Sequence, residues 1–239
     1  MVKVEVTRLT NSPNPRILGE KLEAYKVLAT DWCRACPDFG DYRRQENQLL
    51  SIVPVEGYRA WTRFIRVPRS IYAAGDNWTP PLELERRLHL SRRNPYYEHA
   101  ESLARTAYRG KRAVGRISAQ IDHLRLERYD DATGSFGMIE GEEDPEVFAA
   151  LFDAAESWLR TKGMRRIEGP FNPSINHECG LLIEGFDSPP SIFMGHALPY
   201  YANLVEACGY RKAKDTVAYR MHPDYPTPAT MEKIIKRST

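Results

Sequence analysis

Hydrophobic and polar positions divide the chain into a beginning without clear periodicity and a patterned remainder. Residues 1–48 are mostly polar and contain three prolines, with one weak helical pattern at Leu18–Ala29. We expect them to form a loosely structured leader ahead of the folded domain. From Leu49 the pattern sharpens, which predicts a domain at 49–221 followed by a linker and the start of a helix at 222–239.

Alternation of apolar and polar residues predicts a meander of antiparallel strands. Leu49–Val55 fits an edge strand, since Pro54 cannot donate a hydrogen bond within a sheet. Ser102–Tyr108 and Ala113–Asp122 both alternate, and the turn Arg109–Lys111 between them predicts a hairpin. Further strands are expected at Ser135–Glu140, Arg165–Gly169 and Lys212–Met221.

Helical periodicity is clearest after Asp144, which can cap a helix that has Pro145 at its first position and Gly163 at its end. Shorter helices are expected at Tyr58–Tyr72, Leu82–Leu90, Tyr200–Cys208 and Ala229–Arg237. The order of elements predicts an α+β fold with a mixed, mainly antiparallel sheet and helices on both faces.

Composition and charge exclude several classes of protein. The 239 residues include 34 basic and 32 acidic side chains, and the formal net charge of +2 argues against a nucleic-acid partner. No apolar run approaches the roughly 20 residues that cross a bilayer, and the N-terminus lacks a secretory pattern. We therefore expect a cytoplasmic protein with no transmembrane segment.

The four cysteines agree with a reducing compartment. Cys33 and Cys36 form a C-x-x-C pair, which could be half of a zinc site or a redox pair. No second pair follows, and the residues before Cys33 do not form a convincing strand, so we expect incidental cysteines and no metal. Cys208 lies in an apolar helical stretch and is expected in the core.

Seven motifs between Leu49 and Met221 resemble those of a family of bacterial GNAT-like acyltransferases, in or near which the bacterial ceramide synthases fall. The motifs are Val67–Tyr72, Asn77–Leu82, Asn94–His99, Val114–Asp122, Gly169–Asn176, Glu184–Pro190 and Gly209–Asp215. The resemblance implies a GNAT-like fold and transfer of an acyl group from a thioester to an amine, such as a sphingoid-type lipid amine. It implies direct attack within a ternary complex and no metal.

The resemblance also implies a site for acyl-CoA as co-substrate at the loop 140–145. Its pyrophosphate would lie on backbone N–H groups near a helix N-terminus, with Met138, Ile139 and Gly141 as the contacting residues. The loop contains four carboxylates and one glycine, and these charges repel a pyrophosphate. The acids could instead cap the following helix, CoA could bind elsewhere, or the donor could be an acyl carrier protein.

A tyrosine that protonates the departing thiolate is a second expectation from the resemblance. The matching position is Val205, and Tyr201 lies about one helical turn upstream. Tyr201 is therefore a candidate for that catalytic role. The alternative is that it packs in the core with a solvated hydroxyl.

The long segment between Gly169 and Pro199 carries the candidate acceptor chemistry, because loops of about 30 residues are usually functional or disordered. An amine must lose a proton to attack a thioester, and Glu178 or His177 could be the base. Three further polar side chains would orient the acceptor: Asn172, Ser174 and Asn176. The alternative is that these three form turns and that His177 is exposed.

Arg116 and Asp122 lie on one face of the second hairpin strand and, with Ser118 and Gln120, form a polar stripe. The stripe is either a solvated sheet face or the polar wall of the acceptor site, and the family resemblance favours the wall. A basic–aromatic patch is either a solvated surface or a contact with the inner membrane face or an acidic carrier protein. The patch comprises Trp78, Arg86, Arg87, Arg92 and Arg93.

Two functions of different classes remain open from the sequence. The first is a GNAT-type N-acyltransferase. The second is a catalytically silent GNAT-like binding module, half of a split or truncated two-domain protein. The resemblance supports the second because family members continue through another half beyond the position of Met221, which would then be a partner of this chain.

Overall fold

In a computed structural model of the chain, the described residues are 2–9, 49–218 and 227–238. The sequence-based predictions that lie outside them are the leader at 10–48 with its helical pattern at Leu18–Ala29, the Cys33–Cys36 pair, the last residues of the strand expected to reach Met221 and the linker at 222–226.

The described residues form ten strands and seven α-helices, each numbered in chain order. The strands are β1 (Val2–Leu9), β2 (Leu50–Pro54), β3 (Ala100–Arg109), β4 (Arg112–Asp122), β5 (Thr133–Gly141), β6 (Arg166–Gly169), β7 (Phe171–Asn172), β8 (Glu178–Cys179), β9 (Leu181–Glu184) and β10 (Arg211–Val217). The helices are α1 (Gly57–Arg66), α2 (Pro68–Ile71), α3 (Glu83–His89), α4 (His123–Tyr129), α5 (Pro145–Thr161), α6 (Tyr201–Ala207) and α7 (Ala229–Ser238).

The main sheet has the strand order β10-β1-β6-β5-β4-β3-β2. Strands β5 and β6 are parallel, and the other neighbouring pairs along this path are antiparallel. The parallel pair is joined through α5, as a crossover connection requires. The predicted α+β class with a mixed, mainly antiparallel sheet is confirmed.

Strand β1 lies inside the sheet, which corrects the prediction of a leader for residues 2–9. One edge of β1 pairs with β10, and the other pairs with β6 at Val6–Leu9 and with β9 at Val2–Val4. Arg8 then reaches α5, where its Nη1 lies 3.0 Å from Oε1 of the buried Glu156. The strand was missed because its short alternation precedes a long proline-containing stretch.

Helices cover both faces of the sheet, as the sequence predicted. A side chain at Gly115 of β4 would meet Val147 and Leu151, so this face of β4 packs on α5. The next residue, Arg116, points the other way and donates to the carbonyl of Phe64 in α1. The main core lies on the α5 side and includes Ile117, Phe136, Phe148, Phe152, Leu159, Ile167, Cys208 and Tyr210.

Two segments differ from the sequence-based prediction. The helix expected over Tyr58–Tyr72 is two helices, because Pro68 lacks an amide donor and begins a new helix at its first turn. The long segment after Gly169 contains strands rather than only irregular chain. Its first strand, β7, pairs with β8, so that Asn172 lies opposite Glu178.

Candidate functional site

A β-bulge in β5 turns Glu140 away from the main core. On β4 the residues Arg116 and Ser118 are separated by one residue, but their partners Glu140 and Gly137 are separated by two. Phe136 points into the core, where its ring contacts α5. Regular alternation would send Glu140 the same way, and the additional residue redirects its side chain to the opposite face.

The redirected carboxylate lies in a cleft of about 390 Å³ between the sheet, α3 and the irregular chain before α6. The polar residues at its base are Arg86, Arg116, Glu140, Asn172 and Glu178. Its walls are largely apolar and come from residues 78–82 and 190–196. An apolar cleft with a few convergent polar groups is the usual form of a small-molecule site.

Glu140 is the buried acid of the cleft. The hydroxyl of Tyr201 donates to its Oε2 at 2.7 Å, and Nη2 of Arg116 lies 3.6 Å from its Oε1. Burial raises the pKa of Glu140 above its ordinary value, and the charge of Arg116 with the hydroxyls of Tyr201 and Tyr72 offsets this only in part. A carboxylate with a raised pKa is a better proton acceptor than an ordinary glutamate.

Glu178 differs from Glu140 because it is tightly paired. Nη2 of Arg86 lies 2.6 Å from its Oε1, and the amide of Asn172 donates to its Oε2 at 3.3 Å. Burial acts to raise the pKa of Glu178, but the charge and hydrogen bond of Arg86 and the bond from Asn172 outweigh it and lower the pKa. Glu178 therefore stays ionised at neutral pH, where it attracts a cation better than it accepts a proton.

Asn172 connects Glu178 with the bulged strand that carries Glu140. Its Oδ1 accepts a hydrogen bond of 2.6 Å from the backbone N–H of Met138, beside the bulge. Gly137 permits this approach, since any side chain there would overlap with the carbonyl of Phe171. The buried amide of Gln120 supports the same segment by donating to the carbonyl of Phe171 at 2.7 Å.

The other residues predicted for the acceptor site lie elsewhere. Ser174 Oγ is 2.8 Å from Nδ1 of His177 and accepts from the N–H of Asn176, so these residues form the turn that was the alternative. Asn176 is exposed, while His177 is half-buried rather than exposed. None of the three lines the cleft.

The polar stripe on β4 is divided between two places. Arg116, Ser118 and Gln120 are buried, which corrects the alternative of a solvated face. Arg116 lines the cleft, but Asp122 caps α4 and lies 3.0 Å from Nδ1 of His99. The prediction that Asp122 belongs to the same wall is wrong, because the strand carries it beyond the end of the cleft.

Arginines offset the acidic loop that was expected to repel a pyrophosphate. Arg109 pairs with Asp144 at 2.6 Å, and Arg112 pairs with Glu142. Asp144 also caps α5 by accepting from the N–H of Glu146, as the sequence predicted. The repulsion inferred from the sequence is therefore weaker than the acid count suggested.

The residues expected to contact CoA are only partly accessible. Met138 and Ile139 line the cleft. The N–H of Gly141 already donates to the hydroxyl of Tyr201 at 3.2 Å. Tyr201 is fully buried and does not line the cleft, so it reaches the site through Glu140.

The basic–aromatic patch is not a uniformly solvated surface. Arg86 is buried against Glu178, and the guanidinium of Arg87 lies 4.2 Å from the ring centre of Tyr58. Trp78 stacks on Tyr72 at the edge of the cleft, with ring centres 4.8 Å apart. The local sequence gives no signal that distinguishes Arg86 from Arg87. The place of Arg86 in the site was missed for this reason.

Two curated bacterial proteins are similar to this chain. The protein named "Bacterial ceramide synthase" of Caulobacter vibrioides (strain NA1000 / CB15N) is 45% identical over 193 residues, which are 80% of this chain and 50% of that protein. The chain is related to a bacterial ceramide synthase. "Protein YghO" of Escherichia coli (strain K12) is 51% identical over 158 residues, 66% of this chain and 40% of that protein.

The chain thus spans about half the length, or less, of the curated relatives it matches. No protein-family model and no solved structure matches it. Across residues 2–9, 49–218 and 227–238, no three His, Cys, Asp or Glu side chains form a group that could hold a metal ion. In the same ranges no helix is long and apolar enough to cross a membrane.

Proposed function

We propose that the cleft transfers an acyl group from a thioester to the amino group of a lipid, which produces an amide. The observation that carries this proposal is Glu140, a buried carboxylate with a raised pKa that a β-bulge directs into an apolar-walled cleft. The name of the Caulobacter relative supports the choice of substrates, since a ceramide is the amide of a fatty acid and a sphingoid amine.

The amine enters as an ammonium ion and first releases one proton to solvent, and the neutral amine then needs one proton acceptor for its attack. The amine nitrogen attacks the thioester carbonyl carbon, the new C–N bond forms, and the C–S bond breaks. Glu140 takes the proton that the amine loses and returns it to the departing sulfur, so the products are an amide and a thiol. A pKa above that of an ordinary glutamate suits both steps, because the group must accept the proton and then release it.

Arg116 is the group best suited to stabilise the negative charge that develops on the carbonyl oxygen. It lines the cleft, it is buried, and its Nε has no hydrogen-bond partner among the described residues. A buried donor that points at developing charge is a common and strong contribution to acyl transfer. The thioester is an acyl-CoA or an acylated acyl carrier protein. Its acyl end lies beside Met138 and Ile139.

Product formation tests this proposal. The purified chain is incubated with a long-chain acyl-CoA, or an acyl carrier protein bearing the same acyl group, and with sphinganine. We expect an N-acyl product of the corresponding mass with at least one donor, and thiol release in equal amount. Absence of amide with both donors, from a cooperatively folded sample, contradicts the proposal and favours a binding module.

A further inference from the structure

An apolar groove continues from the cleft along α3. It has a volume of about 430 Å³ and shares Leu82, Glu85, Glu178 and Phe193 with the cleft. Its remaining lining residues are Leu84, Leu88, His89 and His177. A ligand whose polar end occupies the cleft can therefore extend into the groove without leaving the surface of the protein.

The walls of this apolar groove are unusually exposed. Leu82, Leu84, Leu88 and Phe193 expose between 55% and 77% of their surface. On α3 the side chains of Leu84 and Leu88 lie one turn apart on the outer face, while Arg86 between them is buried against Glu178. Contiguous apolar surface beside a polar cleft is typical of a binding site for an apolar ligand.

The floor of the groove is uncharged at neutral pH. The rings of His89 and His177 are in contact in a tilted arrangement, with ring centres 4.7 Å apart. Burial, with the charge of Arg86, lowers the pKa of His89 to about 4, and burial also lowers the pKa of His177. With both rings neutral, the floor adds no charge between the apolar walls, and an uncharged hydrocarbon chain can lie over it.

We propose that the apolar groove binds the hydrocarbon chain of the lipid amine and so determines which chain lengths are accepted. This inference rests on the proposed function for the identity of the amine. The acidic side chains Glu85 and Glu178 stand where the groove meets the cleft, and Glu178 stays ionised. These two carboxylates attract the positively charged ammonium group of the amine. A thioester group is uncharged and is not attracted in this way.

Binding of simple amines tests the inference without any acyl donor. The probes are octylamine, decylamine and dodecylamine, titrated calorimetrically below their micelle-forming concentrations. Full burial of a methylene strengthens binding about fourfold, and in this open groove we expect about two- to fourfold per methylene. Leu88→Arg should flatten this dependence by placing a charge in the groove.

A matched control is Leu124→Arg. Leu124 and Leu88 are both 55% exposed, but Leu124 lies on α4 and does not line the groove. The control should keep the chain-length dependence of the unchanged protein. Phe193→Ser provides a second groove variant, and circular dichroism establishes that each variant is folded.

Two results would overturn the inference. One is an affinity that does not change from octylamine to dodecylamine. The other is a chain-length dependence that persists unchanged in both folded groove variants. Both results are measured without catalysis. If affinity depends on the alkyl chain length of the amine but no amide forms, only the proposed function is contradicted. If an amide forms but affinity does not depend on chain length, only this inference is contradicted.

Discussion

The hydroxyl of Tyr201 lies 2.7 Å from Oε2 of Glu140 and links the first residue of α6 to the bulged strand β5. The same hydroxyl accepts from the N–H of Gly141, so its own proton is directed at the carboxylate. This bond favours the ionised form of Glu140 and offsets part of the effect of burial on its pKa. Tyr201, which does not line the cleft, thereby lowers the pKa of Glu140, which does.

Replacing Tyr201 by Phe should move the pH dependence of acyl transfer. The rate rises with pH as Glu140 loses its proton, and loss of the hydrogen bond raises the pKa of Glu140 further. We expect the acid limb of the rate profile to move up by about one pH unit, the equivalent of one such bond of about 1.4 kcal/mol. Tyr200→Phe is the control, because Tyr200 donates to the carbonyl of Gly141 instead. An acid limb that stays in place in Tyr201→Phe contradicts this role.

We expect Glu178 to bind the ammonium group of the amine rather than to accept a proton from it. Glu178→Gln should weaken amine binding and raise the KM of the amine, while the acid limb of the rate profile stays in place. The variant also leaves the buried Arg86 without its anion, so we expect it to lose about 2 kcal/mol or more of unfolding free energy. If the acid limb disappears in Glu178→Gln while the KM is unchanged, Glu178 and not Glu140 is the base.

His89 should make the protein less stable in mild acid. The folded protein holds the pKa of His89 at about 4, against 6.5 for an ordinary histidine. Between these values the unfolded chain binds a proton that the folded chain does not, so stability falls as the pH falls from about 6.5 towards 4. Urea denaturation at several pH values measures this slope, which His89→Gln should reduce. An NMR titration that finds an ordinary pKa for His89 contradicts the account.

Arg8 should be essential to stability although it belongs to a segment that the sequence indicated as a leader. Arg8 and Glu156 form a buried pair, with only 8% and 4% of their side chains exposed. Arg8→Ala leaves Glu156 without that partner, which typically costs about 3–5 kcal/mol. Arg160→Ala removes a more exposed partner of the same carboxylate and should cost about 0.5 kcal/mol. Similar losses in both variants would contradict the placement of β1.

Local signals explain which parts of the fold were predictable. The helix α5 has a cap at Asp144, a proline at its first position and a glycine after its end, and it was predicted almost to the residue. The hairpin β3–β4 likewise follows from alternation and a short turn. Strand β1 could not be recognised because its partners, β6, β9 and β10, lie more than 150 residues away in the sequence.

The candidate site was only partly predictable for a similar reason. The sequence indicated Glu178, Asn172 and Arg116 as candidate site residues on separate grounds, and the structure brings them to one cleft. Glu140 was placed at the end of a strand and in the acidic loop that follows, and its direction into the cleft was missed, because a bulge changes the direction of a side chain without changing the pattern of residue types. Arg86 was assigned to the surface, because its partner Glu178 is distant in the sequence.

The most direct test of the account is acyl transfer by Glu140→Gln compared with Glu143→Gln. The two substitutions are identical in chemistry and three residues apart, but Glu143 is exposed and does not line the cleft. We predict that Glu140→Gln lowers the rate of amide formation by about 100-fold or more and that Glu143→Gln leaves it within about twofold. A folded Glu140→Gln variant with the rate and pH profile of the unchanged protein would contradict the central claim.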